Sequence, residues 1–161
     1  MFGEIVSSSH SYGGSNYHLQ FTPKYRRGVF VDKDIRKACE EVFKEIAKEL
    51  GVSIYALKFG PDHAHLFVGN CRKYSVSQLV QRFKGASSRI LRKEHGDRIK
   101  SKLRGDSFLS DGYFYESIGR VTAESVEYYI QKQQGKHWAG LAYEVQQARR
   151  KGQTKLDDFA S

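Results

Sequence analysis

The sequence predicts an α+β fold, a four-stranded sheet with two helices on one face and a further helix added towards the C-terminus. Three observations carry this. Residues 16–22 (NYHLQFT) alternate apolar and polar side chains, as a half-exposed strand does. Residues 32–51 and 76–95 instead place apolar residues at helical intervals. Short β-rich segments bounded by Gly, Pro and Asp fill the remaining positions, so the elements follow one another as β-α-β-β-α-β and then α.

In the first strand, Tyr17, Leu19 and Phe21 share one face and His18 and Gln20 the other, which is expected to be wet. His18 reads first as a strand residue turned towards DNA or solvent, and second as a residue that approaches His63 and His65. The first helix, DKDIRKACEEVFKEIAKELG, aligns Ile35, Ala38, Val42, Ile46 and Leu50, with Asp32 suited to cap its start and Gly51 its end. Residues 52–59 and 63–69 read as a hairpin joined by Gly60, Pro61 and Asp62. The second helix, 76–95, turns Leu79, Val80, Phe83, Ala86, Ile90 and Leu91 inward and is expected to stop at Gly96. Residues 108–119 (FLSDGYFYESIG) read as strand with a turn at Asp111-Gly112. Thr122 then suits the N-cap of a third helix, AESVEYYIQKQQ, ending near Gly135. The order is the split βαβ, ferredoxin-like (RRM-like) arrangement. The whole of 1–161 reads as a single domain, with its core at about 15–135 and a polar tail at 136–161.

Composition narrows the functional classes. A chain of 161 residues with 39% hydrophobic content can bury a core without disulfides. No apolar run approaches the length that crosses a bilayer, and the start has no basic segment followed by an apolar one, so a soluble, cytoplasmic protein is expected. Cys39 and Cys71 have neither metal-ligand spacing nor the look of a disulfide framework. Lys and Arg total 27 against 18 acidic residues, a net charge of +9, which favours a polyanionic partner. Much of the excess lies between Arg82 and Arg104, where Arg82, Lys84, Arg89, Arg92 and Lys93 lead a run almost free of acid; Lys24, Arg26 and Arg27 form a second cluster. Nucleic acid is the first expectation, and a solvated helix face the alternative.

Two local patterns suggest chemistry. In PDHAHLFVG, strand alternation puts His63, His65 and Phe67 on one side and Ala64, Leu66 and Val68 on the other. Paired imidazoles suit metal ligation or proton handling, although such pairs also arise by chance. Asp62 beside them reads first as a turn cap and second as a partner that orients an imidazole. In the third helix Tyr129 and Gln133 lie four apart on one side, which ordinary packing explains as well as function does.

Four segments together resemble the single-tyrosine HUH transposases, the transposase-A proteins of the insertion-sequence 200/605 type. They are YHLQFTPKYRR at 17–27, PDHAHLFV at 61–68, GYFYESIG at 112–119 and YIQKQ at 129–133, in the family's order. Where the family usually has a branched aliphatic between the histidines, this chain has Ala64, which suits an inward strand position. The resemblance implies His63, His65 and Gln133 as ligands of a divalent metal, Mg2+ or Mn2+. It implies Tyr129 as the nucleophile that forms a 5′-phosphotyrosine link with single-stranded DNA. It also implies recognition of DNA hairpins, and a homodimer whose active sites are shared between subunits.

Those residue types suit strand transfer. A phenol with a pKa of about 10 is a better leaving group than an aliphatic alcohol, so a tyrosyl phosphodiester is readily reversed by a DNA 3′ hydroxyl. Three neutral ligands leave a divalent cation its full charge for polarising a phosphate. Tyr113 and Tyr115 suit stacking on unpaired bases, or burial in a strand. Three rival readings are an RRM-like binding module without catalysis, an HUH nickase serving replication or conjugation, and a small-molecule metalloenzyme. The first leaves His63, His65, Tyr129 and Gln133 without roles, and the positive balance disfavours the last.

Overall fold

In the computed structural model, residues 6–24, 27–103 and 108–118 are described. The third helix expected at 123–134, with Tyr129 and Gln133, and the tail from 136 lie outside the described residues, as do Arg26 and Arg104. Strands β3 (Asn16–Phe21), β4 (Ser53–Gly60), β5 (His63–Gly69) and β6 (Phe114–Ile118) form a four-stranded sheet in the order β4-β5-β3-β6. Every neighbouring pair is antiparallel. Helices α1 (Lys33–Leu50) and α2 (Val76–Lys102) complete the mixed α+β core. A separate ribbon of β1 (Val6–Ser8) and β2 (Ser11–Gly13) precedes it, an element that no apolar alternation announces.

Both helices pack on the face that carries Leu19 and Phe21 of β3 and Ala64, Leu66 and Val68 of β5. Phe21, Phe43 of α1 and Phe83 of α2 meet there edge-on or tilted, with ring centroids 5.7, 5.3 and 6.5 Å apart. Aromatic side chains supply the largest apolar area per residue, so this junction of three elements anchors the core.

Local chemistry sets the ends of α1. The Asp32 carboxylate accepts from the amides of Asp34 and Ile35, and Gly51 closes the helix at φ 68°, a left-handed conformation that glycine adopts without strain. The start of α2 is a capping box, in which Ser75 Oγ accepts from the Gln78 amide and the Gln78 side chain accepts from the Ser75 amide. The stop expected at Gly96 does not occur. The helix kinks at His95 (φ −128°, ψ 26°) and continues to Lys102. Beyond the kink Ile99 and Leu103 are fully buried, and burying them outweighs the roughly 1 kcal/mol that an internal glycine costs.

A short 3-10 turn at Val29–Val31 fixes the β4–β5 hairpin in place. Its buried Phe30 lies against Phe59 and Phe108, and the Phe30 amide donates to the carbonyl of Pro61 at 3.1 Å. The turn that leads into the histidine strand is therefore held from outside the hairpin. The expectation of a wet side on β3 is overturned. β3 lies between β5 and β6 as a central strand, and His18 and Gln20 are both buried.

Candidate functional site

The sheet face opposite the helices carries the polar cluster. Cross-strand partners share a face, so His18 and Gln20 of β3 lie beside Phe67 and His65 of β5 on one flank. Glu116 and Phe114 of β6 lie beside them on the other flank. His63 opens β5 directly opposite Gly60, across the two-residue turn.

His63 is fixed from two sides. Its Nδ1 is 2.8 Å from Asp62 Oδ1, so the Asp62 carboxylate orients the imidazole, the role ranked second from the sequence. Its ring also fills the space that a side chain at residue 60 would need: a Cβ there would come within 2.2 Å of His63 Cε1. Glycine at 60 is thus a requirement of the ring's position. With Nδ1 engaged, Nε2 is the nitrogen left to bind a ligand.

His65 is almost fully buried, and its Nδ1 lies 3.0 Å from Nε2 of His18. The His63 and His65 rings are 4.9 Å apart, centroid to centroid. Among the described residues, His65 Nε2, His18 Nδ1 and Gln20 Oε1 are buried with no hydrogen-bond partner. Burial, reinforced by the neighbouring His18 and His63 rings, pushes the pKa of His65 down to about 3. Burial also lowers that of His18, with Glu116 working in the opposite direction. His65 is neutral at physiological pH, the state in which an imidazole ligates a metal. A buried nitrogen that has a lone pair and no donor to satisfy it fits a cation.

The remaining predicted residues are distributed as follows. Arg89 and Lys93 are exposed on α2, and Arg92 is half-buried there. Arg82 is paired with Glu49 at 3.4 Å. Lys84 donates to the carbonyl of Asp111 at 2.9 Å and sits 5.9 Å from the centroid of the Tyr113 ring. Tyr113 packs against the core, whereas Tyr115, 6.2 Å away, is exposed. Arg27 is exposed and Lys24 half-buried. The structure brings together His63, His65 and Asp62 with His18, whose second reading from the sequence this bears out, and with Glu116, which the sequence did not single out. It does not describe Tyr129 or Gln133. The signal for His18 was present in the alternation of NYHLQF, which puts it on the histidine face once β3 and β5 are known to be neighbours.

Paired imidazoles on an antiparallel sheet, within a chain of net charge +9, suit a protein that acts on a polyanion such as nucleic acid. The family model described as "Transposase IS200 like" matches residues 11–133, and the chain belongs to that family. It is 32% identical over 126 residues to the transposase for insertion sequence element IS200 of Salmonella typhimurium, covering 78% of this chain and 82% of that one. It is 27% identical over 120 residues to the ISDra2 transposase TnpA of Deinococcus radiodurans, covering 74% and 84%. Among solved structures, a transposase-like protein of Deinococcus radiodurans superposes with a TM-score of 0.64 at 24% identity, covering 80% of this chain and 98% of that one. A REP-associated tyrosine transposase bound to a REP hairpin superposes with a TM-score of 0.51 at 13% identity, covering 76% and 68%. The protein is a transposase, and the readings as a binding module or a replication nickase give way to that one.

Proposed function

We propose that the protein cuts and rejoins single-stranded DNA at its element's ends through a covalent tyrosyl intermediate, with His63 and His65 at the centre of the active site. The observation that carries this is the pair of adjacent imidazoles, each with Nδ1 engaged by a neighbour and Nε2 left over. His63 and His65 would hold a divalent cation, Mg2+ or Mn2+, with Gln133 as third ligand. The cation supplies positive charge that polarises the scissile phosphate. The Tyr129 hydroxyl attacks that phosphorus, the bond to the 3′ oxygen breaks, and the departing 3′ hydroxyl takes up a proton. The product is a 5′-phosphotyrosine, and attack by another 3′ hydroxyl reverses the step and joins the strands.

The exposed Arg89 and Lys93, with Arg27, would hold DNA by its phosphates, and Tyr115 would stack on an unpaired base. The strand order and the β-α-β-β-α-β succession of residues 16–118 support a ferredoxin-like core, to which we add, as a proposal, a single domain spanning 1–161 with the tyrosine on an added helix. We further propose cytoplasmic action on hairpin-bearing DNA by a homodimer with composite sites. Among the described residues no helix is long and apolar enough to cross a membrane.

The test uses labelled single strands from the DNA flanking the gene, with and without Mn2+. A protein-linked product is expected only with metal, and Tyr129→Phe is expected to abolish it. Mixing Tyr129→Phe with His65→Ala chains restores the product if sites are shared between subunits. An adduct that persists in Tyr129→Phe refutes the assignment of the nucleophile.

A further inference from the structure

We propose that His18 is a positioning residue, the middle member of a Glu116–His18–His65 line across three strands that fixes which nitrogen of His65 is presented to the cation. This rests on the reading of His65 as a ligand and adds to it a residue outside the histidine motif.

The line is built by the sheet itself. Glu116 of β6 is directly opposite His18 of β3, and His18 is directly opposite Phe67 of β5, two residues beyond His65. The His18 ring is stacked on Phe67, with centroids 4.3 Å apart and planes 2° apart, and Phe114 meets it edge-on at 5.6 Å. Held in this way, His18 points Nε2 at His65 Nδ1, 3.0 Å away, and turns Nδ1 towards Glu116 Oε2, 3.9 Å away. The second distance is too long for a direct hydrogen bond but well within electrostatic reach.

Two neutral rings joined by one hydrogen bond have two arrangements. In the first, His65 Nδ1–H donates to His18 Nε2, and His18 carries its own proton on Nδ1, facing the Glu116 carboxylate. His65 Nε2 is then a bare lone pair. In the second, His18 Nε2–H donates to His65 Nδ1. His18 Nδ1 then presents a lone pair to a carboxylate, and His65 Nε2–H becomes a buried donor with no acceptor among the described residues. Each arrangement leaves one ring N–H without a hydrogen-bond acceptor among the described residues, so the two differ in electrostatics. The first turns the His18 Nδ1–H towards the Glu116 carboxylate, which attracts it, whereas the second sets the His18 lone pair against that carboxylate and leaves its proton on His65 Nε2, away from it. The geometry therefore selects the first. It delivers His65 in the tautomer that a metal ligand requires, with a polarised acceptor behind it that raises the ligand's basicity.

The first test reads the tautomer in the metal-free wild-type chain, by long-range proton–nitrogen-15 correlation spectra of the histidine rings. A proton on Nδ1 of both His65 and His18 is expected, and a proton on Nε2 of His65 overturns the proposal. The second test titrates Mn2+ by electron paramagnetic resonance. His18→Phe keeps the stack on Phe67 but removes the acceptor, and should weaken Mn2+ binding about 10–100-fold. His18→Gln, whose amide oxygen can take the place of Nε2, should restore most of it. A folded His18→Phe chain that binds Mn2+ like the wild type overturns the proposal, and if that variant does not fold, the tautomer spectrum decides. His63→Ala and His65→Ala separate the two levels of inference. If both bind Mn2+ normally, the ligand reading itself fails; if both lose it while His18→Phe does not, only the role of His18 fails.

Discussion

Replacing Gly60 by alanine tests whether the position of one imidazole governs activity. The new Cβ would lie 2.2 Å from His63 Cε1 and 2.6 Å from its Nε2, against an ordinary contact of 3.4–4 Å. The ring must therefore withdraw by at least about 1.2 Å, and in doing so it stretches or breaks the 2.8 Å contact with Asp62. A misplacement of about 1 Å costs on the order of 100-fold in rate, and disturbing the support of a metal ligand costs about 10–100-fold in affinity. Stability should change little, because an alanine restricts the unfolded chain and offsets the adjustment by about 0.4–1 kcal/mol. Gly85 on α2 is the control, since a Cβ there meets nothing within 4 Å. Gly85→Ala should raise the melting temperature slightly and leave Mn2+ binding unchanged. The assays are Mn2+ titration, cleavage of a labelled single strand and thermal melting. A Gly60→Ala chain that binds Mn2+ and cleaves at the wild-type rate would refute the reasoning.

Phe83→Ala should cost about 3–5 kcal/mol in chemical denaturation, because it empties the junction with Phe21 and Phe43; a loss under about 1 kcal/mol would show that the junction is not the anchor. Cys39 and Cys71 are buried, and burial pushes both thiols up, Cys71 to about 12, so that neither forms appreciable thiolate at pH 8. Iodoacetamide should label both only after denaturation, and rapid labelling of the folded chain would contradict this. Changing Arg89 and Lys93 together to alanine should lower the salt dependence of single-strand binding by about 1.4 in log–log slope, and an unchanged slope would place the phosphates elsewhere.

What could be read from the sequence was what depends on neighbours along the chain. The apolar spacing of α1 and its caps at Asp32 and Gly51 are local, and all three appear as expected. Period-two alternation likewise put His63 and His65 on one face and Ala64, Leu66 and Val68 on the other. Features that depend on distant contacts were misread. Read from NYHLQF alone, the His18 side is wet, because nothing in that segment says that β5 and β6 will flank it and bury that side. Gly96 reads locally as a helix stop, and the helix passes it because the burial of Ile99 in the core is a tertiary effect. Asp62 sits in a turn whose local chemistry admits a cap, and only the fixed imidazole beside it decides its role. Tyr129 and Gln133 were singled out by resemblance alone, since helical spacing makes them neighbours without saying what they do.

The central sheet has a layer of helix on one side and the imidazoles on the other. The exposed bases of α2 and the paired imidazoles therefore lie on opposite sides of the sheet within one chain. A polynucleotide that touches both must bend sharply around a sheet edge, through a layer about 10 Å thick. Duplex DNA, which stays straight over roughly 50 nm, resists such a turn, whereas an unpaired strand makes it easily. The edge formed by β6 is where Tyr115 stands exposed, beside Lys84 and Tyr113. On the function proposed above, the architecture would favour the unpaired strand by stiffness, before any base is read.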